Sequence, residues 1–364
     1  MRLLTIAAGA ISLLLGGLTA PAGADTESWQ VTQLLGGAAG TDSRSVTDVT
    51  ALSPDNAWAV GGQLRANRGV PFAEHWDGAS WTEVPLPANL PGNLSGLTAS
   101  SPNDVWALDG YARRLLRWNG QSWTDALLPP HGWVGPAALS ANSVWAGSST
   151  GEGTEYLQHW DGTGWISHPV QMSTLESLSA ISDTDVWIVG RYGANATAVH
   201  WNGTTLTRAP LPDIPTPDGA ETSLHSITAL TPDNVWAVGD YNWLPTDGQP
   251  RQYRSVALHW DGTSWTHVPT PDGQHAVSDV TSDGAGDVWV VQDTPEVAPP
   301  LAKKQLLHHT GGTWTPVPVS DTPDGRGVEE VNLANIPGTT SMWAAATLTY
   351  PYSYDWRGAI LHHD

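Results

Sequence analysis

The chain carries thirteen histidines, 36 aspartates and glutamates, and no cysteine. Six histidines (His75, His159, His200, His259, His308, His362) each stand one residue before a recurring landmark, and Arg117 takes that place once. A set of imidazoles at matched positions suggests a transition-metal centre. A second group follows no repeat. It comprises Asp240, Tyr241, Trp243, Asp247, Arg251, Tyr253 and Arg254, together with Tyr350, Tyr352, Tyr354, Trp356 and Arg357. Aromatic rings beside carboxylates and arginines suit sugars: ring faces stack on C–H groups while polar neighbours hold hydroxyls. The same mixture suits a protein surface. Asp240, Asp247, Glu296, Glu329 and Glu330 offer carboxylates for a hydrolase, but no spacing selects a pair. The absence of cysteine removes thiolate ligands, a cysteine nucleophile, disulfides and a lipid-anchored N-terminal cysteine.

The elements that place these residues follow from the 21 tryptophans. One unit recurs seven times, with a first landmark at Trp58, Trp106, Trp145, Trp187, Trp236, Trp289 and Trp343. The second landmark is Trp76, Trp118, Trp160, Trp201, Trp260, His309 and His363. The third, five residues later, is Trp81, Trp123, Trp165, Leu206, Trp265 and Trp314. Asp-Gly or Asn-Gly between the second and third landmarks marks a tight hairpin. Each unit reads as four short strands, A to D, and no segment has the 3.6-residue period of an amphipathic helix.

The seventh unit ends at its strand C, and Ser28-Trp29-Gln30-Val31 reads like a strand D. The expectation is therefore an all-β, seven-bladed β-propeller of four-stranded antiparallel blades. Its ring is closed by the N-terminal strand completing the last blade, which removes free sheet edges.

In that architecture strand A lines the channel, and strand C lies about 10 Å farther out. Histidines on strand C cannot converge on one ion. They are expected between blades, bonded to turn residues such as Asp104, Asp185 or Asp287, with no metal and no cofactor. The repeated tryptophans are expected as inter-blade packing. Thr-Pro-Asp-Gly at Thr216, Thr270 and Thr322 reads as a β-turn.

Function belongs where regularity fails. From first to second landmark the spacings are 18, 12, 15, 14, 24, 20 and 20, so the long B–C loops fall in blades 5, 6, 7 and 1, which adjoin in a ring. The irregular aromatics named above sit in the loops of blades 5 and 7. They are the candidate ligand-binding residues, against the alternative that they pack on one another.

Residues 1–24 read as a signal peptide: Arg2, an apolar run from Leu3 to Leu18, and Ala22-Gly23-Ala24. An uncleaved anchor is the alternative. Residues 25–364 then form one secreted domain. The net charge is −21, which opposes nucleic acid and anionic membranes as partners. An extracellular glycan or protein surface, bound by a monomer, remains.

The unit resembles a kelch-type propeller repeat, as in galactose-oxidase-like proteins. Trp58-Ala-Val-Gly61-Gly62 ends an apolar strand in glycine, and an aromatic-Asp pair, a tryptophan and a Val-Pro ending follow. The resemblance covers the chain after residue 24, although the double glycine occurs only in the first copy. Copper radical oxidases of this type need a cysteine bonded to a tyrosine, and this chain has no cysteine. The Asp-Gly-x-Ser-Trp tract is similar to the Asp-box hairpins of sialidase-like propellers, whose arginine cluster no motif reproduces. Quinoprotein dehydrogenases carry a different tryptophan motif and more blades. The resemblance implies architecture, and a binding role ahead of a polysaccharide hydrolase or lyase.

Overall fold

A computed structural model describes residues 28–36, 43–65, 68–109, 114–126, 134–149, 154–245, 249–271, 275–293, 304–319, 327–349 and 356–364. These residues form seven four-stranded antiparallel sheets and no helix. Each sheet is one sequence unit. In blade 1 the strands are A (Arg44–Ser53), B (Asn56–Arg65), C (Arg68–Trp76) and D (Trp81–Glu83). Neighbouring A strands meet in a closed cycle, the A strand of blade 7 (Gly327–Asn335) meeting that of blade 1.

Closure is made by the N-terminal strand Gln30–Leu35, which lies against strand C of blade 7 (Trp356–His363) with Gln30 opposite His362 and Leu35 opposite Gly358. One detail differs from expectation. Trp29 does not join this ladder; its N–H donates to the Pro318 carbonyl of blade 6 at 3.0 Å. Trp29 thus sits fully buried in the seam between blades 6 and 7. The third-landmark tryptophans serve the seam to the preceding blade, which is why the side chain matters more than its ladder position.

The seams explain the tryptophan repeat. Trp58 of blade 1 packs on Trp118 and Trp123 of blade 2, Trp187 of blade 4 on Trp260 and Trp265 of blade 5, and Trp343 of blade 7 on Trp76 and Trp81 of blade 1. Where the landmark is histidine the trio survives: Trp236 meets His309 and Trp314, and Trp289 meets His363 and Trp29. Where Leu206 replaces tryptophan, His168 of blade 3 packs on Trp201 instead. Edge-on aromatic pairs add about 0.5–1.5 kcal/mol each beyond their burial.

The short turns are equally regular. The Asp77 carboxylate accepts the N–H groups of Ala79 and Ser80, both at 2.9 Å, and Asp161 and Asp261 do the same in their blades. Gly78 lies at φ 92°, and a Cβ there would come within 2.9 Å of the Asp55 Cβ, so both conformation and space require glycine.

The channel wall is tied by polar side chains. Asp48 of blade 1 accepts the Leu97 N–H of blade 2 at 2.7 Å. Asp279 of blade 6 accepts the Ser226 hydroxyl of blade 5 at 2.9 Å and the Leu333 N–H of blade 7 at 3.1 Å. Asn332 of blade 7 donates to the Thr47 carbonyl of blade 1 at 2.7 Å.

Candidate functional site

The repeated histidines are placed by strand pairing. Each lies opposite the first-landmark tryptophan of its own blade, as Trp145 opposite His159 and Trp289 opposite His308. The rings stack, with centroids 4.0 Å apart in the first pair and 4.2 Å in the second. Arg117 covers Trp106 in the same way at 4.8 Å. His200 bonds to Asp185 at 2.7 Å, His259 to Asn234 at 2.9 Å and His75 to Asn56 at 3.2 Å. Asp104 holds Arg117 rather than a histidine, and Asp287 stands 3.6 Å from His308. Burial holds His75, His159, His259 and His362 below the usual imidazole range. These are packing groups, each tied within its own blade or to the next.

One described group has metal-like spacing: the ligand atoms of Asp283, Asp287 and His308 lie within 4.8 Å of one another. Asp283 Oδ1 already accepts the N–H groups of Ala285, Gly286 and Asp287, at 2.8, 2.9 and 3.1 Å. The carboxylate is occupied in shaping its own turn. Of the Thr-Pro-Asp-Gly tracts, the first is a turn closed by Ala220 N–H to the Pro217 carbonyl at 3.1 Å.

The irregular chemistry gathers at the other face, on blade 5. Its A strand is Glu221–Thr231, its B strand Asn234–Trp243 and its C strand Gln252–Trp260. The B–C ladder runs out to Trp243 opposite Gln252. Successive side chains alternate between the two sides of this hairpin. On one side Tyr241 and Trp243 stack with centroids 5.8 Å apart, and Arg254 lies over the Trp243 ring at 5.2 Å. Tyr241 also packs against the core shared with blade 4. These two aromatics therefore pack partly on each other, as the alternative reading expected. Tyr253 and Leu244 remain 40% and 59% exposed.

On the other side a hydrogen-bonded relay runs from the channel mouth to the hairpin tip. His225 Nε2 donates to Asp240 Oδ2 at 2.7 Å, Asn242 Nδ2 donates to Asp240 Oδ1 at 3.1 Å, and Arg251 donates to Asn242 Oδ1. Asp240 is buried, so it orients its neighbours. The bond to Asp240 raises the pKa of His225; burial opposes this, Glu176 reinforces it and Arg191 opposes it. His225 occupies a β-bulge that recurs in strand A, where blades 1, 4 and 6 carry Thr47, Glu176 and Ser278. A bulge re-aims its extra residue. Blade 7 carries Glu329 there, so glutamate recurs and the histidine is particular to blade 5 among these five blades.

Of the ten sequence-predicted residues, the structure brings together Asp240, Tyr241, Trp243, Arg251 and Tyr253. Asp247, Tyr350, Tyr352 and Tyr354 lie outside the described residues, and Trp356 begins strand C of blade 7. Sequence reasoning missed His225, Asn242 and the stacking role of Arg254. A histidine where sibling blades carry threonine, glutamate or serine was the available signal for the first. Also missed is an apolar cavity of about 900 Å³ on the same face, between residues 69–71 and 86–92 of blade 1. Among the described residues that line it none is titratable.

Several solved propellers share this architecture. The chain superposes with TM-score 0.57 on YCF48 bound to D1 peptide, at 15% identity over 95% of this chain and 99% of that one. A catalytically inactive histidine-to-alanine variant of virginiamycin B lyase from Staphylococcus aureus, with quinupristin, gives TM-score 0.58 at 15% identity over 92% and 99%. The GH74 xyloglucanase from Xanthomonas campestris gives 0.52 at 15% identity over 91% of this chain and 55% of the enzyme. No protein-family model and no curated protein sequence matches. At these identities the likeness is one of fold.

Proposed function

We propose that this is a secreted, monomeric recognition module that binds extracellular glycan through the blade 5 hairpin. The observation that carries this reading is the hairpin itself. It extends the ladder to Trp243 and leaves Tyr253 exposed on the side that carries Asn242, opposite the Trp243–Arg254 stack, with Leu244 exposed just beyond the strand. Most large apolar side chains elsewhere fill the seams; among the described residues Leu64, Ile166 and Tyr192 are also exposed, singly and on other blades. An exposed tyrosine face stacks on sugar C–H groups, while Arg251 and Asn242 supply directed polar contacts. Secretion rests on the leader-like residues 2–24. The kelch-like resemblance fits the same reading. A glycan array probed with the purified protein tests it. Binding lost in Tyr253→Ala with the fold retained supports it; a silent array beside capture of a protein ligand overturns it.

The His225–Asp240 pair favours a second reading, as a polysaccharide hydrolase or lyase. A carboxylate that orients an imidazole is the arrangement of a general base, and one propeller of similar fold is a lyase inactivated by loss of a histidine. Release of new reducing ends, abolished by His225→Gln, would establish it.

A further inference from the structure

The charges around blade 5 indicate which glycan the site takes. Among the described residues Arg44, Arg114, Arg117, Arg191 and Lys304 each lie within 4.0 Å of a carboxylate. Arg208, Arg251 and Arg254 do not. Arg208 bonds to the Gln171 carbonyl at 3.0 Å and covers Tyr192 at 4.4 Å. Arg251 bonds to Asn242, and Arg254 to its neighbour's carbonyl at 2.7 Å. All three stand at the loop-face ends of blades 4 and 5. Apart from Arg357 of blade 7, which bonds to the Gly36 carbonyl, the cations whose side chains are described and that lie outside the carboxylate pairs stand on one pair of blades. The opposite face has the reverse character. Its turns carry Asp55, Asp77, Asp161, Asp233 and Asp261, and its one described cation, Arg117, is bound to Asp104.

Deepening the glycan reading and resting on it, we propose that the ligand is a polyuronate that passes over the hairpin tip: Arg251 and Arg254 hold carboxylates from the two sides of the tip, and His225 Nδ1 donates to a further carboxylate at the channel mouth. A guanidinium forms paired, charge-assisted bonds to a carboxylate. Arg251 is already aimed by the Asp240–Asn242 relay, so little ordering remains at binding. Asp240 holds Nε2 of His225, and Nδ1 takes no hydrogen bond among the described residues. Charged groups around the ring are Asp240 on its own blade and Glu176 and Arg191 on blade 4. Glu176 repels an anion there, so this contact requires the protonated imidazole and weakens as pH rises.

Calorimetric titration with polygalacturonate, and with the same polymer fully methyl-esterified, tests the proposal. The free acid should bind about tenfold tighter or better at pH 6. Arg251→Ala and Arg254→Ala should each weaken polygalacturonate binding about fivefold and weaken binding of the ester less, so that the preference for the acid shrinks. His225→Gln should remove the difference in polygalacturonate affinity between pH 6 and pH 8. If Arg251→Ala melts early, Arg251→Lys, which keeps the charge and loses the planar fork, serves instead. Equal binding of acid and ester overturns the proposal, as does poly-glutamate binding as tightly as polygalacturonate. If only neutral glycans bind, the polyuronate assignment fails while glycan recognition stands. If no glycan binds, both fail.

Discussion

Trp29 meets Trp289 edge-on, with ring centroids 5.7 Å apart and planes at 89°, joining the first described strand to blade 6. His363, at the end of the chain, lies 5.4 Å from the same Trp29 ring. The two ends of the sequence thus share one aromatic seam. Trp29→Ala should cost about 3–5 kcal/mol, as for a core aromatic. Chemical denaturation measures this. A melting temperature unchanged by removal of residues 25–35 would contradict closure by this strand.

Asp48 gives a pH-dependent prediction. Burial pushes its carboxyl up to about 7, against the pull of the Leu97 and Val49 N–H groups, with Asp279 adding to the rise. A carboxyl raised in the folded state contributes stability that is full below its unfolded pKa and is lost as pH rises through about 7. The window is pH 4 to 7, and the loss is at most about 4 kcal/mol. The buried histidines, whose pKa is lowered, act oppositely as pH falls below the ordinary imidazole value, so the comparison with Asp48→Asn isolates the effect. Relative to wild type, Asp48→Asn should gain stability at pH 7.5 over pH 5. An equal difference at both pH values would contradict it.

For His225 the main cause of the raised pKa is the bond to Asp240. Its contribution to stability is present below the unfolded imidazole pKa and lost as pH rises through the folded one. An NMR titration should place His225 above the ordinary histidine value in the wild type and lower in Asp240→Asn. Identical titration curves would show that the relay does not control the imidazole.

No stoichiometric transition metal is expected after dialysis, because the repeated histidines are committed to tryptophans and Asp283 to its own turn. Elemental analysis finding one tightly held zinc, copper or iron per chain would overturn this, and Asp287→Asn would test whether Asp283, Asp287 and His308 hold it.

Ring size, strand order and closure were legible because the constraint repeats: seven first-landmark tryptophans, with a constant five-residue step from second to third landmark, leave one arrangement. The histidine partners were half legible. Strand alternation separates His75 from Trp76 and places it with Trp58, and the turn residue that bonds the imidazole is the one two before that tryptophan: Asn56 for His75, Asp185 for His200, Asn234 for His259. The side-chain arrangement on blade 5 was not legible in the sequence. Loop length and aromatic content pointed to blade 5; there Asp240 is buried and bonds to His225 and Asn242. The pairing of Asp240 with His225 depends on a bulge that no spacing rule reveals.

The most direct measurement of the central claim compares glycan binding by mutants of the two faces. Tyr253→Ala and Trp243→Ala should each weaken binding by about 1 kcal/mol or more with the melting temperature nearly unchanged, while Ser122→Ala and Thr263→Ala on the opposite face leave affinity as it is. Binding abolished by the short-turn mutants and untouched by Tyr253→Ala and Trp243→Ala would contradict the account.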